Sequence, residues 1–273
     1  MKITFQAISK INIGLHVKER RNDGYHNIES LFMPLALSDT ITIENNTEEL
    51  SCTVNKKDIP SGIENLAYRA ADAFFRYTNI KDRVSIHIDK HIPQGYGLGG
   101  GSSDAAFIIN VLDGIYETNL TYEIKKTIAL EIGTDVVYFL RPRPALVEGK
   151  GDIVTHLGNF SSDLWVLLYF PEISFKTKEA YTKLSSLTKR KFYGKIIFEY
   201  LIQKRFSILE DYVFNDFEMV VKDFIDTEKI RHRFKELGAL LTGMTGSGTG
   251  FYGIFDSLPA LKQGKWIITR FYL

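Results

Sequence analysis

The chain has 273 residues, with 34 Lys and Arg against 33 Asp and Glu and a formal charge of +1. Hydrophobic residues make up 44% of the chain, which excludes a disordered chain, and the near-zero charge argues against a nucleic-acid binder that works through a broadly basic surface. A single cysteine, Cys52, excludes an internal disulfide or a cysteine-built zinc site, and the six histidines are scattered without metal-ligand spacing.

The length predicts one large domain or two smaller ones. No apolar stretch reaches the ~18 residues of a membrane span. Residues 1–6 alternate like a strand and lack a leader pattern, so a reducing, cytoplasmic setting is expected. Along the first 45 residues Ile11, Ile13 and Leu15 alternate with Asn12, Gly14 and His16, and Ile41 and Ile43 with Thr40 and Thr42. These read as strands, with a tight turn at Asn22-Asp23-Gly24 between them. Residues 64–77 predict a helix burying Leu66, Ala70, Ala73, Phe74 and Tyr77. A strand follows at 84–89, then a glycine-rich stretch, then a helix over 105–112.

Thr121 is placed to cap a helix carrying Ile124, Ile128 and Ile132 and stopping at Gly133. Residues 136–140 are apolar, and 145–152 carry a Gly-Lys-Gly turn. A buried strand is expected over 164–170, a basic, aromatic helix over 189–205, and strands over 250–255 and 266–273. The reading is α+β, in two lobes divided near 150–163, taken as 1–153 and 154–273.

Glycine is unevenly spread: five of the 21 lie in residues 95–101 and five more in 243–253. Glycines ahead of a helix let backbone N–H groups close on an anion, where the helix dipole is positive. A polyphosphate is the natural guest, with Ser102 and Ser103 adding hydroxyls or holding magnesium. Gly95, Gly97 and Gly100 also satisfy the dinucleotide-binding GxGxxG, which alone is weak, and residues 115–121 make a poor next strand. A ligand-free glycine turn is the third reading. The second cluster, with Gly243, Gly246, Gly248 and Gly250, reads as a break in regular structure before the strand at 250–255.

Pro93-Gln94-Gly95-Tyr96-Gly97-Leu98-Gly99-Gly100-Gly101-Ser102-Ser103-Asp104-Ala105-Ala106 resembles the phosphate loop of the GHMP kinases. Ser9-Lys10-Ile11-Asn12, Asp23-Gly24-Tyr25-His26, Ile132-Gly133-Thr134-Asp135-Val136 and Met244-Thr245-Gly246-Ser247-Gly248 resemble further motifs of one branch, in that branch's order. Departures are Val137 where proline is usual, Thr134 for alanine or serine, and Tyr96 for a small residue.

The resemblance implies the two-lobed GHMP kinase fold, with an N-terminal ribosomal-protein-S5-domain-2-like lobe and a C-terminal ferredoxin-like α/β lobe. It implies an ATP- and Mg2+-dependent kinase that phosphorylates the 2-hydroxyl of a cytidine-diphosphate-linked methylerythritol, in the non-mevalonate route to isoprenoids. Lys10 and Asp135 would be catalytic and lie near each other. Pro93, Gly95, Gly97, Leu98, Gly99, Gly100, Gly101, Ser102 and Ser103 would bind ATP, with Ser103 a candidate for its magnesium. Asn12, Tyr25, His26, Tyr181, Gly246 and Ser247 would bind the substrate. The two glycine clusters would face each other, one from each lobe. A monomer or weak homodimer is expected, with no nucleic-acid or membrane partner. The rival readings are a GHMP kinase for another small alcohol, such as homoserine or mevalonate, and a non-catalytic nucleotide sensor on the same fold.

Overall fold

Two long strands, β1 (Lys2–Arg20) and β2 (His26–Asn45), open the chain and pair with each other. The computed structural model describes all residues except 46, 174–176, 185–189, 262–264 and 273. Residues 7–17 of β1 are buried on both faces, and they include Ser9, Lys10, Asn12 and His16. Polar side chains inside a central strand must find partners, and those partners build much of the site below.

The chain packs as two units, and the long strands contribute to both. The first comprises Met1–Ser9, Leu37–Pro93 and Gly99–Pro142; the second comprises Lys10–Ala36, Gln94–Leu98 and Arg143–Leu273.

In the first unit, β3 (Ser51–Val54) pairs parallel with β4 (Val84–Asp89), and β4 pairs antiparallel with the end of β2, Ile41 opposite Ile88. Helix α1 (Leu66–Thr78) lies between β3 and β4 in the chain. Asn65 caps it by accepting the Ala67 amide at 2.9 Å, and Asn79, at φ 57°, ends it. Its buried face is Ala67, Ala70, Ala71, Ala73, Phe74 and Phe75, so Ala70, Ala73 and Phe74 lie inside as expected, whereas Tyr77, also expected inside, is 45% exposed. The stripe extends to Ala67, Ala71 and Phe75 and leaves Leu66 half-buried at its edge.

Helix α2 (Gly100–Ile115) packs on α1. It was expected from residue 105 but begins at Gly100, so Gly-Gly-Ser-Ser-Asp forms its first turns. Gly99, left-handed at φ 74°, is its N-cap. Low glycine propensity hides such a start. Helix α3 (Tyr122–Ile132) is capped by Thr121, as expected, and stops at Gly133. Residues 136–140 open with a buried turn, α4 (Val136–Phe139).

In the second unit, β5 (Ala145–Gly149) pairs antiparallel with β2 and with β6 (Ile153–His156), across the expected Gly-Lys-Gly turn. A second sheet contains β7 (Trp165–Tyr169), where the buried strand was expected. Helices α5 (Thr177–Lys183), α6 (Gly194–Ile202), α7 (Phe206–Tyr212), α8 (Glu218–Val221) and α9 (Thr227–Glu236) follow. The strands β8 (Leu241–Thr245), β9 (Gly250–Phe255) and β10 (Trp266–Arg270) complete the sheet in the order β10-β7-β9-β8, all antiparallel.

Phe217, Phe234, Leu167, Met244, Phe251 and Phe255 are its buried core, each side chain worth about 1.5–3 kcal/mol of burial. Gly243, expected in a loop, lies within β8 opposite Tyr252, whose hydroxyl would sit 2.3 Å from a Cβ there. Gly243 clears space for a ring rather than breaking the strand. Residue 189, at the start of the expected basic helix, and residue 273, at the end of the last strand, lie outside the described residues. Among the described residues no helix is long and apolar enough to cross a membrane.

Candidate active site

The second unit holds Lys10, Asn12 and both central parts of the glycine stretches. Lys10 is 2% exposed on β1, its Nζ donating to Asn12 Oδ1 at 2.5 Å and lying 4.4 Å from the Phe32 ring centre. Asn12 Nδ2 donates to Ser30 Oγ at 2.8 Å, and Ser30 Oγ donates to the Gly14 carbonyl at 2.6 Å. Asn12 is thereby locked in one orientation, with Oδ1 toward the ammonium.

The two glycine stretches meet here, backbone against backbone. A Cβ on Gly97 would lie 2.3 Å from the Thr245 carbonyl oxygen, and one on Gly248 2.3 Å from that of Gly95. Gly97 is also left-handed, at φ 77°. No other residue fits it on either count. Thr245 Oγ1 accepts the Asn12 amide at 3.0 Å, and the Lys10 amide donates to the Leu98 carbonyl at 3.0 Å. Both glycine stretches are therefore tied to the strand that carries Lys10. Residues 94–98 pack in the same unit as 243–250. Tyr96 hydrogen-bonds the Pro171 carbonyl at 2.9 Å and packs on Phe170, an anchor that a smaller residue would lack.

Sequence reasoning missed Asn215 and Asp216. Asn215 Nδ2 donates to the carbonyls of Met244 at 3.0 Å and Gly246 at 2.9 Å, while its Oδ1 accepts the Phe217 amide at 3.0 Å. Asp216 Oδ2 accepts the Val17 amide at 2.8 Å and meets His16 Nδ1 at 2.7 Å. The pair clamps the second glycine turn to β1. The only sequence signal was an Asn-Asp pair between two phenylalanines. Gly246 is buried in that turn, beside half-buried Ser247.

Tyr25 follows the expected tight turn and is 55% exposed, with Lys150 Nζ 5.3 Å from its ring centre. His26 stacks on Tyr181, rings 5.1 Å apart at 18°, and Tyr181 meets Phe217 edge-on at 4.8 Å. Burial, helped by the charge of Arg20, pulls the His26 imidazole below its usual value, which favours the neutral ring. Residues 174–176, ahead of Tyr181, lie outside the described residues.

In the first unit, the amides of Gly100, Gly101 and Ser102 open α2, since the first intrahelical bond is that of Ser103 to the Gly99 carbonyl. Among the described residues these three amides have no partner, and they stand at the positive end of a 16-residue helix, where an anion can be seated. Ser103 is fully buried and its hydroxyl donates to the Ile8 carbonyl at 2.6 Å; Ser102 is half-buried at the helix end. Pro93 precedes the glycine stretch, and Leu98, within it, is buried.

Asp135 occupies the cap position of α4 but makes no capping hydrogen bond and is half-buried. The commonest structural use of such an aspartate is thus not in force. Val137 donates its amide to the Thr134 carbonyl at 3.3 Å, a bond that proline could not form.

Residues 65–141 match the GHMP kinases N-terminal domain. A 4-diphosphocytidyl-2-C-methyl-D-erythritol kinase of Clostridium perfringens is 36% identical over 94% of this chain and 90% of its own. One of Thermoanaerobacter pseudethanolicus is 34% identical over 96% and 90%. Among solved structures, a 4-(cytidine 5'-diphospho)-2C-methyl-D-erythritol kinase matches with a TM-score of 0.78 and 30% identity, over 92% of this chain and 89% of that one. A homoserine kinase from Cytophaga hutchinsonii, 14% identical with a TM-score of 0.67, shares the fold.

Proposed function

The chain belongs to the 4-diphosphocytidyl-2-C-methyl-D-erythritol kinase family, a small-molecule kinase family of isoprenoid precursor synthesis that uses ATP, and from that membership we propose how its residues work. The substrate is 4-diphosphocytidyl-2-C-methyl-D-erythritol, and the γ-phosphoryl group of ATP passes to its 2-hydroxyl, giving the 2-phosphate and ADP. The observation that carries this reading is the buried Lys10–Asn12 pair, held on the strand to which both glycine stretches are bonded.

Phosphoryl transfer needs positioned phosphates, charge stabilisation and a destination for the hydroxyl proton. The free amides that open α2 seat the ATP phosphates, with the glycine loop from Gly95 to Gly101 around them. Lys10 stabilises charge on the transferring group, and Asn12 orients its ammonium. Asp135, free of a capping bond, accepts the hydroxyl proton. Magnesium would neutralise phosphate charge if bound, and Ser102, half-buried at the helix start, is the serine whose oxygen would hold it, since Ser103 is fully buried against the Ile8 carbonyl.

Tyr25 and His26 take the cytosine by stacking and by an edge hydrogen bond, which the neutral imidazole suits because it offers one donor and one acceptor. Tyr181 supports the His26 ring, and Gly246 and Ser247 face the diphosphate. The enzyme works in the cytoplasm as a monomer or weak homodimer, without nucleic-acid or membrane partners.

The test is ADP release by the purified protein with Mg-ATP and the cytidyl substrate, alongside homoserine and mevalonate. Turnover confined to the cytidyl substrate is expected; turnover of another alcohol alone, or ATP binding with no turnover, overturns the reading. Asp135→Asn lowers kcat by ~10²–10⁴ with ATP binding kept.

A further inference from the structure

Tyr96 stands where a small residue is usual in the family, and no step of the phosphoryl transfer uses its ring or its hydroxyl. The side chain is half-buried and packs on Phe170 with ring centres 4.9 Å apart, and its hydroxyl donates to the Pro171 carbonyl at 2.9 Å. Phe170 and Pro171 are buried, and they begin the strap, residues 170–173, by which the chain leaves β7 for α5. The strap is held a second time. Thr249, fully buried behind the second glycine turn, donates its hydroxyl to the Ile173 carbonyl.

The two latches are also pressed together through their backbones. A Cβ on Gly250 would lie 2.4 Å from the Tyr96 carbonyl oxygen, and one on Gly248 3.0 Å from the Tyr96 Cα. Residues 94–98, 248–250 and 170–173 thus form one contact, all within the second unit. Further along the chain lies α5, where Ala180 is 1% exposed in the core and Tyr181 stacks on His26 and meets Phe217. A loop that needed only to make room for phosphate would not require a tyrosine here; one that holds the strap does. Close-packed groups transmit displacement to their neighbours, so a ligand that stills residues 94–98 also stills the strap.

We propose that Tyr96 couples the two substrates: nucleotide against the glycine loop raises the affinity for the cytidyl substrate, and the cytidyl substrate raises that for nucleotide by the same factor. The proposal rests on the reading that the loop takes the ATP phosphates while His26 and Tyr181 serve the cytosine. The first ligand holds the latch closed, so the second no longer has to order its own side. One neutral hydrogen bond sets the scale, a coupling of ~5-fold. Tyr96 acts through the strap, as a positioning residue.

The experiment is calorimetric titration of the cytidyl substrate into the protein alone and into the protein saturated with magnesium and a non-hydrolysable ATP analogue, then in the reverse order, for wild type and Tyr96→Phe. Wild type binds the second ligand ~5-fold more tightly in either order. Tyr96→Phe keeps the ring on Phe170 and loses the bond to Pro171, so each ligand alone binds within ~2-fold of wild type while the coupling falls toward ~1. A lowered Tm with an unchanged coupling factor makes Tyr96 a structural anchor only and overturns the proposal, as does a wild type whose ligands bind independently. Failure of the folded wild type to bind either ligand overturns the functional reading and the proposal with it. Should Tyr96→Phe not fold, hydrogen exchange of the wild type decides: the nucleotide analogue alone must slow exchange over residues 170–173, and no slowing overturns the proposal.

Discussion

Gly97 and Gly101 stand four residues apart in one glycine-rich stretch, and they are glycine for opposite reasons. Gly97 is demanded by the protein itself: it is left-handed, and the Thr245 backbone fills the place of its Cβ. Gly101 is exposed and helical, and a Cβ there would meet only a Leu66 methyl at an ordinary 3.5 Å. Nothing within the protein asks for glycine at 101. A cluster that looks uniform in sequence thus divides into a part that closes the fold and a part that leaves room for a ligand.

The sharpest break of that contrast is Gly97→Ala. It forces both a backbone clash and a strained φ, and costs ~3 kcal/mol or more. At ~2–4 °C per kcal/mol, thermal unfolding falls by ~6–12 °C. Asn215→Ala attacks the same closure from the other side. It strands the Met244 and Gly246 carbonyls, so a loss of ~2 kcal/mol is expected in denaturant unfolding, with a raised KM for the cytidyl substrate.

Gly101→Ala should go the other way on stability. Alanine in a helix gains ~0.5 kcal/mol over glycine, while the KM for ATP rises several-fold; unchanged ATP kinetics would mean that the free space serves no ligand.

A pH trend is expected at Asp104, buried with Lys90 and Asp39. Its folded-state value lies above the ordinary 3.8, so the folded chain holds more protons than the unfolded one between roughly pH 4 and pH 7. Its contribution to stability is therefore fully present below pH 4 and declines as pH rises through that window. The Tm of Asp104→Asn relative to wild type should climb between pH 5 and pH 8, and a flat difference would remove the buried-charge account.

Local features were legible in sequence where one residue type had one use. Thr121 capped its helix, residues 84–89 alternated as a strand, and Lys10 stood out on an apolar strand. Legibility failed where a residue answered to something far away in the chain. The start of α2 was hidden because glycine argues against helix, and only the left-handed Gly99 reveals the entry. Gly243 looked like a loop residue because its reason is the Tyr252 ring on the next strand. Asn215 carries no period, since its partners are two carbonyls about 30 residues on. Asp39, Lys90 and Asp104 share no motif, and only the fold turns them into one charge cluster.

Cys52 has a practical corollary. It is the chain's single thiol, buried on β3 and held protonated far above neutral pH. Thiol reagents attack the thiolate, so the native enzyme should be silent to them until β3 comes away from its neighbours. The rate at which a disulfide dye is consumed then becomes a clock for local opening of the first unit, running without any engineered label.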